Sequence, residues 1–315
     1  MINPKPLFEE RMRRLLPEES DFADFSKKIH EYPLNFIRCN TLKISPDELR
    51  QKLEEKNWKI SQPFSGRQEI MLIESKLLPG EIGKAIEHLL GYYYVQEVSS
   101  MMPAFALEPK PGEFVLDLCA SPGSKTTQIA ALMENSGAII ANDRAVDRII
   151  SLCSNLERCA VGNTIVTKED AIFLCQEMGS INLEFDKILV DVPCSGEGNI
   201  RSNPKTLITW SIGAIRQLSD LQKKIAISAS ALLKKGGTMV YSTCTHAPEE
   251  NEEVVSYLAQ KKGLVIEKAS LPLKSRHGIK EWGKSSFVEG IENACRIYPQ
   301  DNDCEGFFVA KLKKE

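Results

Sequence analysis

Short, continuous apolar runs alternate with amphipathic stretches along most of the chain, and the spacing switches repeatedly from a strand period to a helix period. Phe114-Val-Leu-Asp-Leu-Cys119, Ala138-Ile-Ile-Ala-Asn-Asp143, Asn163-Thr-Ile-Val-Thr, Lys187-Ile-Leu-Val-Asp191 and Met239-Val-Tyr-Ser-Thr-Cys244 read as strands. Runs of this kind suit a parallel sheet buried on both faces. One helix runs from the Gly123 turn through Ile129 to Met133. Another spans roughly Ala214 to Leu233, with Lys234-Lys-Gly-Gly as its stop signal. A third opens at Pro248-Glu-Glu-Asn-Glu-Glu, whose acids suit a first helical turn. Val265-Ile-Glu-Lys-Ala and Gly306-Phe-Phe-Val-Ala-Lys-Leu read as the last strands, and Leu271 to Asp303 reads as loop. The alternation predicts an α/β fold: a doubly wound sheet with helices on both faces, over residues 91–315.

The first 90 residues have a different rhythm. Leu7 to Leu16 is a helix ending near Pro17, and Phe36-Ile-Arg-Cys-Asn-Thr-Leu is a strand. Ser45-Pro-Asp-Glu carries a helix-start signal, with Ser45 as N-cap, Pro46 in the first turn and Glu48 three residues on. Leu49 and Leu53 give that helix an apolar stripe, and Trp58-Lys-Ile-Ser begins another strand. Strand, helix and strand at this scale predict a small α+β N-terminal module of ferredoxin-like, RNA-recognition-like shape over residues 1–90. Such a shape gives no function by itself. Gly91-Tyr-Tyr-Tyr links it to the larger unit; Tyr92 to Tyr94 either stack on bases or pack a seam, and the seam is the preferred reading.

Composition narrows the class. At 42% hydrophobic and 26% charged, the chain is an ordinary globular one, and no apolar run approaches the ~20 residues of a membrane span. The segment after Met1 has no apolar signal core, so a cytoplasmic location is expected. Nine cysteines, none spaced Cys-x-x-Cys, predict reduced thiols and no metal site. Net charge is −3, yet between Cys194 and His246 seven basic residues (Arg201, Lys205, Arg216, Lys223, Lys224, Lys234 and Lys235) face only Glu197 and Asp220. That excess reads either as a surface for a phosphate-bearing substrate or as a solvated helix face.

The candidate chemistry lies at strand ends. In the sheet order 3-2-1-4-5, the fourth and fifth strands are neighbours ~4.8 Å apart, and they end in Asp191-Val-Pro-Cys194 and in Ser242-Thr-Cys244. Two thiols would then face one pocket. The strand, glycine turn and helix around Cys119-Ala120-Ser121-Pro122-Gly123-Ser124-Lys125 make a nucleotide-type cofactor site without the spacing of a P-loop. Asp143, ending the second strand, is placed for ribose hydroxyls, and Asp170, after the third, for an adenine amino group; the alternative for either is a helix N-cap. A thiol with a methyl donor nearby suits alkylation at carbon 5 of a pyrimidine, a carbon that becomes nucleophilic when a thiolate adds to carbon 6.

Asp117-Leu-Cys-Ala-Ser-Pro-Gly-Ser-Lys-Thr, Asp191-Val-Pro-Cys-Ser-Gly-Glu-Gly and Tyr241-Ser-Thr-Cys-Thr together resemble the Sun-domain (nucleolar-protein type) RNA cytosine-5 methyltransferases, in order and in spacing. Gln96-Glu-Val-Ser-Ser and Arg296-Ile-Tyr-Pro…Gly306-Phe-Phe are similar to the family pattern too. The resemblance implies a Rossmann-like S-adenosylmethionine-dependent methyltransferase sheet and an RNA substrate. Transfer RNA is favoured, as in archaeal-type stand-alone members, with ribosomal RNA the alternative. It also implies that Cys244 is the nucleophile, that Cys194 assists release, that Asp191 contacts the cytosine near the methyl group and that Lys125 lies by the base. Residues 119–125, Asp143, Arg148, Asp170 and Asp191 would hold the cofactor. No protein partner or membrane is implied, and a monomer is expected. Three rivals are weighed: a silent RNA-binding or ribosome-assembly factor, which predicts a lost cysteine or cofactor acid; an amino-group methyltransferase, which predicts an Asn/Asp-Pro-Pro-Tyr/Phe turn; and a thiol redox enzyme, which predicts Cys-x-x-Cys.

Overall fold

The computed structural model describes residues 3–315. Met1 and Ile2, at the head of the segment read as lacking a signal core, lie outside the described residues. Helices α1 (Pro6–Leu15) and α2 (Glu19–Lys28) open the chain. Strand β1 (Asn35–Cys39), helix α3 (Pro46–Glu54), strands β2 (Ile60–Ser61) and β3 (Ile70–Ile73), short helices α4 (Glu81–Lys84) and α5 (Ile86–Leu89), and strand β4 (Tyr93–Val95) follow. α3 starts where its signal stands: Ser45 and Glu48 form a reciprocal capping box. Leu49 and Leu53 are buried beneath it. The four strands pair antiparallel in the order β2-β3-β1-β4, the arrangement of a βαββαβ ferredoxin-like unit.

Two features of this region depart from the sequence reading. Residues 93–95, expected in the larger unit, form an outer strand of the small sheet. There Tyr93 is buried and donates to Ile82 O at 2.6 Å, while Tyr94 donates to Pro122 O at 3.3 Å. Of the two readings of the tyrosine cluster, these contacts are those of the seam. Helices α1 and α2, expected to belong with the small module, pack on the larger unit instead. Phe8, Met12, Phe22 and Phe25 share a core with Ile200, Leu207, Trp210 and Tyr298. Arg11 forks onto Glu249 at 2.9 and 2.6 Å. An amphipathic stripe reports that a helix face is covered, not by what.

The larger unit runs α6 (Met102–Leu107), β5 (Phe114–Asp117), α7 (Ser124–Leu132), β6 (Ala138–Asn142), α8 (Val146–Arg158), β7 (Thr164–Thr167), α9 (Ala171–Ser180), β8 (Phe185–Asp191), α10 (Thr206–Thr209), α11 (Ile212–Ala231) and β9 (Leu233–Thr243). It closes with α12 (Glu252–Lys262), β10 (Val265–Glu267), β11 (Arg276–His277), β12 (Glu281–Trp282), β13 (Ser285–Ser286), β14 (Cys295–Ile297), α13 (Pro299–Asn302) and β15 (Phe307–Lys313). The main sheet has the order β11-β14-β15-β9-β8-β5-β6-β7, with β10 also on β15. Strands β7, β6, β5, β8 and β9 are parallel, as predicted, and β15 adds antiparallel to β9. Both faces are covered. Leu116, Ile140, Ile188, Val190 and Tyr241 join the core under α9, α11 and α12, while their neighbours Val115, Ile139, Leu189 and Val240 face α6 and α7. Every second side chain points the other way, so a continuous apolar run fills two cores.

Two further expectations are corrected. The helix before Lys234-Lys-Gly-Gly does end there, at Ala231, but those four residues are not a loop beyond it: they lie inside β9, which starts at Leu233, with Lys234 paired to Asp186 at 2.8 Å. Residues 271–303, read as loop, hold β11 to β14 and α13. β14 pairs with β15 through Cys295 and Val309, and buried Arg296 forks onto Glu252 at 2.6 Å. Strands of two or three residues are too short to show a period.

The two sheets are joined by Arg38 of β1. Its buried guanidinium donates to Gln96, to Ser124 O at 2.7 Å and to Thr127 Oγ1 at 2.8 Å. Burial brings its pKa down to about 10. The small sheet is thereby fastened to the first turn of α7.

Candidate functional site

The parallel register of β8 and β9 sets Asp191 opposite Ser242, so the segments that leave the two strands run side by side. The thiols of Cys194 and Cys244 meet there at 3.1 Å. The residues after them are also joined: Ser195 Oγ lies 2.8 Å from Thr245 Oγ1. Beneath Cys244, Gly198 N donates to its carbonyl at 2.9 Å. A Cβ on Gly198 would stand 2.1 Å from Gly306 O, so only glycine allows this approach.

Lys125, in the first turn of α7, reaches across to Asp191 at 2.7 Å and to Ser100 Oγ at 3.1 Å. Ser242 Oγ donates to the other Asp191 oxygen at 2.7 Å. Burial opposes the charge on Lys125, but Asp191 beside it more than offsets this and holds the ammonium's pKa above its ordinary value. The α7 start depends on Gly123, whose φ of 98° is left-handed and whose missing Cβ leaves room for Leu152.

Two cavities adjoin this centre. One, of about 340 Å³, is lined by Cys119, Ser121, Asp143, Arg148, Asp170, Asp191 and Cys194, with apolar Leu221 and Ile225. The other, of about 580 Å³, is lined by Lys125, Asp191, Cys244 and Phe307, with Pro33–Phe36 of the small module as one wall. Cys119, Ser121, Arg148, Asp191 and Cys244 border both. The sequence-predicted site residues are brought to one place. Among them, Ala120 and Pro122 line the larger cavity, as does Ser124, while Gly123 sits behind it at the helix start.

The predicted cofactor acids differ in their surroundings. Asp170 caps α9, accepting from Ile172 N at 2.9 Å and Phe173 N at 3.3 Å, so the helix-cap alternative holds for it even as it borders the smaller cavity. Asp143 is almost fully buried and accepts from Arg148 Nε at 3.0 Å on both oxygens. Arg148 is in turn tied to Ser121 O at 2.8 Å. Burial pushes the Cys119 thiol up, away from ionisation.

The two central thiols form a coupled pair. Cys194 is pushed well above the ordinary thiol range, first by its contact with Cys244 and then by burial. Cys194 therefore keeps its proton while the two sulfurs are in contact.

The basic excess does not form one surface. Arg201 is buried on Cys304 O and Asp303, and Lys223 pairs with Glu253 at 2.6 Å. Lys205, Arg216, Lys224 and Lys235 remain exposed. The acids of Pro248-Glu-Glu-Asn-Glu-Glu, read as helix-dipole partners, each have a tertiary role. Glu249 holds Arg11, Glu250 accepts from Ser195 N at 3.0 Å, Glu252 holds Arg296 and Glu253 holds Lys223, while Asn251 among them accepts from Thr243 Oγ1 at 2.6 Å.

Several residues of the site escaped the sequence reading as site members. Asp117 lines the larger cavity, with one oxygen on Thr126 at 2.7 Å and the other without a partner among the described residues; burial pushes its pKa up to about 7. Gln96, Glu97, Ser100 and Phe307 line it too, and only their motifs gave a signal; Glu305, also lining it, gave none. Pro33–Phe36 gave none. Among the described residues, no group of three or more His, Cys, Asp and Glu side chains is placed to hold a metal, and no helix is long and apolar enough to cross a membrane.

The chain as a whole is similar to known proteins. Residues 104–313 match the model of the 16S rRNA methyltransferase RsmB/F family, and residues 5–98 match the N-terminal domain of 16S rRNA methyltransferase RsmF. A Pyrococcus abyssi relative named tRNA (cytosine(49)-C(5))-methyltransferase is 42% identical over 96% of this chain and 97% of its own. Ribosomal RNA small subunit methyltransferase F of Vibrio cholerae is 40% identical over 99% of this chain, which spans 64% of that protein's length. Among solved structures, a methyltransferase homolog from Pyrococcus horikoshii superposes with a TM-score of 0.83 at 31% identity, covering 99% of this chain and 100% of that one. NSun6 from the same organism, solved with SFG, gives 0.83 at 25% identity, with 98% of both chains covered.

Proposed function

Because the chain belongs to the RsmB/F (Sun-domain) family of RNA cytosine-5 methyltransferases, we propose that it methylates carbon 5 of a cytosine in transfer RNA through a Cys244 adduct. The observation that carries this reading is the pair of thiols at 3.1 Å, between two cavities and beside the Lys125–Asp191 pair. The family's methyl donor is S-adenosylmethionine, and the residues present fit it. The smaller cavity, at about 340 Å³, falls in the range of small-ligand sites. It offers three carboxylates to a ligand rich in donors and bearing a cationic sulfur. Asp143, Arg148, Asp170 and Asp191 would hold it, with the backbone of residues 119–125. When bound, it supplies the electrophilic methyl group that carbon 5 accepts.

The chain's own residues do the rest. Lys125 and Asp191 hold the target base by its polar edge in the larger cavity, which a base enters only after leaving its stack. The Cys244 sulfur, as the thiolate nucleophile, adds to carbon 6 and puts electron density on carbon 5. With Cys244 consumed, the contact that kept the proton on Cys194 is gone, and Cys194 then ionises more readily. It takes the proton from carbon 5, and the bond between carbon 6 and Cys244 breaks to restore the ring and the thiolate.

Transfer RNA is favoured because the relative matched nearly end to end acts, by its name, on tRNA. Ribosomal RNA is the second reading, from the Vibrio relatives at 40% identity. Bisulfite sequencing of unmodified total RNA, after incubation with protein and S-adenosylmethionine, separates them: a protected cytosine in a transfer RNA is expected. Protection confined to ribosomal RNA favours the second reading. No protection anywhere, with cofactor binding demonstrated, sinks both and leaves a silent binding factor.

A separate check concerns the cofactor acids. Asp143→Ala is expected to weaken S-adenosylmethionine binding by about 10- to 100-fold in calorimetry, the scale of a lost charged hydrogen bond. Unchanged affinity would reduce Asp143 to an anchor for Arg148.

A further inference from the structure

The loop carrying Cys194 leaves the sheet after Val192 N donates to Ser242 O at 3.2 Å, and is caught again where Gly198 N donates to Cys244 O at 2.9 Å. Between those points, two buried side chains hold the peptide groups on either side of Cys194. Gln222 of α11 donates through Nε2 to Pro193 O at 2.9 Å. The same nitrogen donates to Glu250 Oε2 at 2.8 Å, and that oxygen accepts from Ser195 N at 3.0 Å. Pro193 O belongs to the peptide before Cys194 and Ser195 N to the peptide after it. Both side chains are fully excluded from solvent, and Glu250 is itself fixed by Tyr241, whose hydroxyl donates to its carbonyl at 2.6 Å. Neither borders the two cavities.

We propose that Glu250 and Gln222 are positioning residues for product release, a carboxylate–amide clamp that fixes the Cys194 thiol where it can take the carbon 5 proton. The inference rests on the release role given to Cys194 above. A buried carboxylate and amide are costly unless satisfied; Gln222 Oε1 and Glu250 Oε1 have no partner among the described residues, and the hydrogen bonds the two side chains do make, besides the one between them, go to one residue's flanking peptides. Proton transfer needs heavy atoms within ~3 Å, and misplacement by ~1 Å costs on the order of 100-fold. The thiol sits on a loop whose next residues include Gly196 and Gly198, which add no stiffness. Without the clamp, Cys194 keeps its chemistry and loses its place. Geometry carries the effect, not charge. Burial pushes the Glu250 carboxyl up to about 7, so it is not held as a firm anion, and an amide oxygen in its place accepts the same two hydrogen bonds.

The test uses the full chain with transfer-RNA and small-subunit ribosomal-RNA transcripts, S-adenosylmethionine, and denaturing electrophoresis to count covalent protein–RNA adduct. Glu250→Ala and Gln222→Ala are expected to raise steady-state adduct by about tenfold or more, by slowing release. The rate of adduct formation in a single turnover should stay within about twofold, a separation that general destabilisation does not produce. Glu250→Gln should return adduct to the parent level. Gln222→Ala serves alone if Glu250→Ala does not fold. The clamp is overturned if both alanine variants release like the parent, if formation and release fall together, or if Glu250→Gln traps as heavily as Glu250→Ala. Cys194→Ala runs beside them: if it traps adduct and the clamp variants do not, only the clamp fails. If it traps none, the release role of Cys194 fails and takes the clamp with it.

Discussion

Turnover by a Cys244→Ala protein is expected to fall by roughly 10³-fold or more, the scale seen when a covalent nucleophile is removed. Affinity for S-adenosylmethionine should stay within about twofold, because the lost sulfur is small and the backbone around it is held independently. Thr243 donates to Asn251 at 2.6 Å, and Asn251 donates to Thr245 O at 2.9 Å, so residues 243–245 keep their path without the thiol. Nothing else at the site replaces it. Cys119 borders both cavities, but burial keeps that thiol protonated. Cys194 loses in this variant the contact that raised it most, but burial still opposes its ionisation. Single-turnover methylation, followed by transfer of labelled methyl groups, gives the measurement; residual activity near that of the parent would remove Cys244 from the mechanism.

Cys194→Ala is expected to do the opposite to the population of intermediates. Addition and methyl transfer proceed, since Cys244, Lys125 and Asp191 are intact, and release slows by roughly 10²- to 10⁴-fold, the usual contribution of a positioned acid or base. Most of the protein should then run as a slow band on denaturing electrophoresis in the presence of RNA and cofactor. Should that band come instead from Cys244→Ala, the two cysteines exchange roles. The distinction is sharp because the thiols are 3.1 Å apart, so neither substitution changes which groups the substrate meets, only which step lacks its thiol.

Much of this arrangement is legible in the chain because it depends on local periodicity and on strand ends. The parallel strands stand where continuous apolar runs stop at an acid or a cysteine, and their order makes the two thiols neighbours. The Ser45 capping box is legible for the same reason: both partners lie within four residues. What could not be read depends on partners far away in the sequence. Arg276 donates to Asp21 at 2.7 Å across 255 residues, and this contact helps to order a segment with no period of its own. Glu250 reads as one acid among four at a helix start, and only the folded chain shows it facing the peptide after Cys194. Pro33–Phe36 become a wall of the larger cavity because β1 is drawn against α7, and a run of apolar and small polar residues carries no mark of that.

Arg38 has a consequence for how the chain can be divided. The family models meet between residues 98 and 104, which invites a cut there. Such a cut would leave the Ser124 carbonyl and the Thr127 hydroxyl without their donor, and the Gln128 side-chain oxygen without the Gln96 amide at 3.3 Å. It would also bare the apolar patch where Phe36 and Ile70 meet Met101, Met102 and Phe105. The catalytic half is therefore not a transplantable cassette. A chimera that exchanges the front module has to carry residues 38, 96, 124, 127 and 128 as one inherited set.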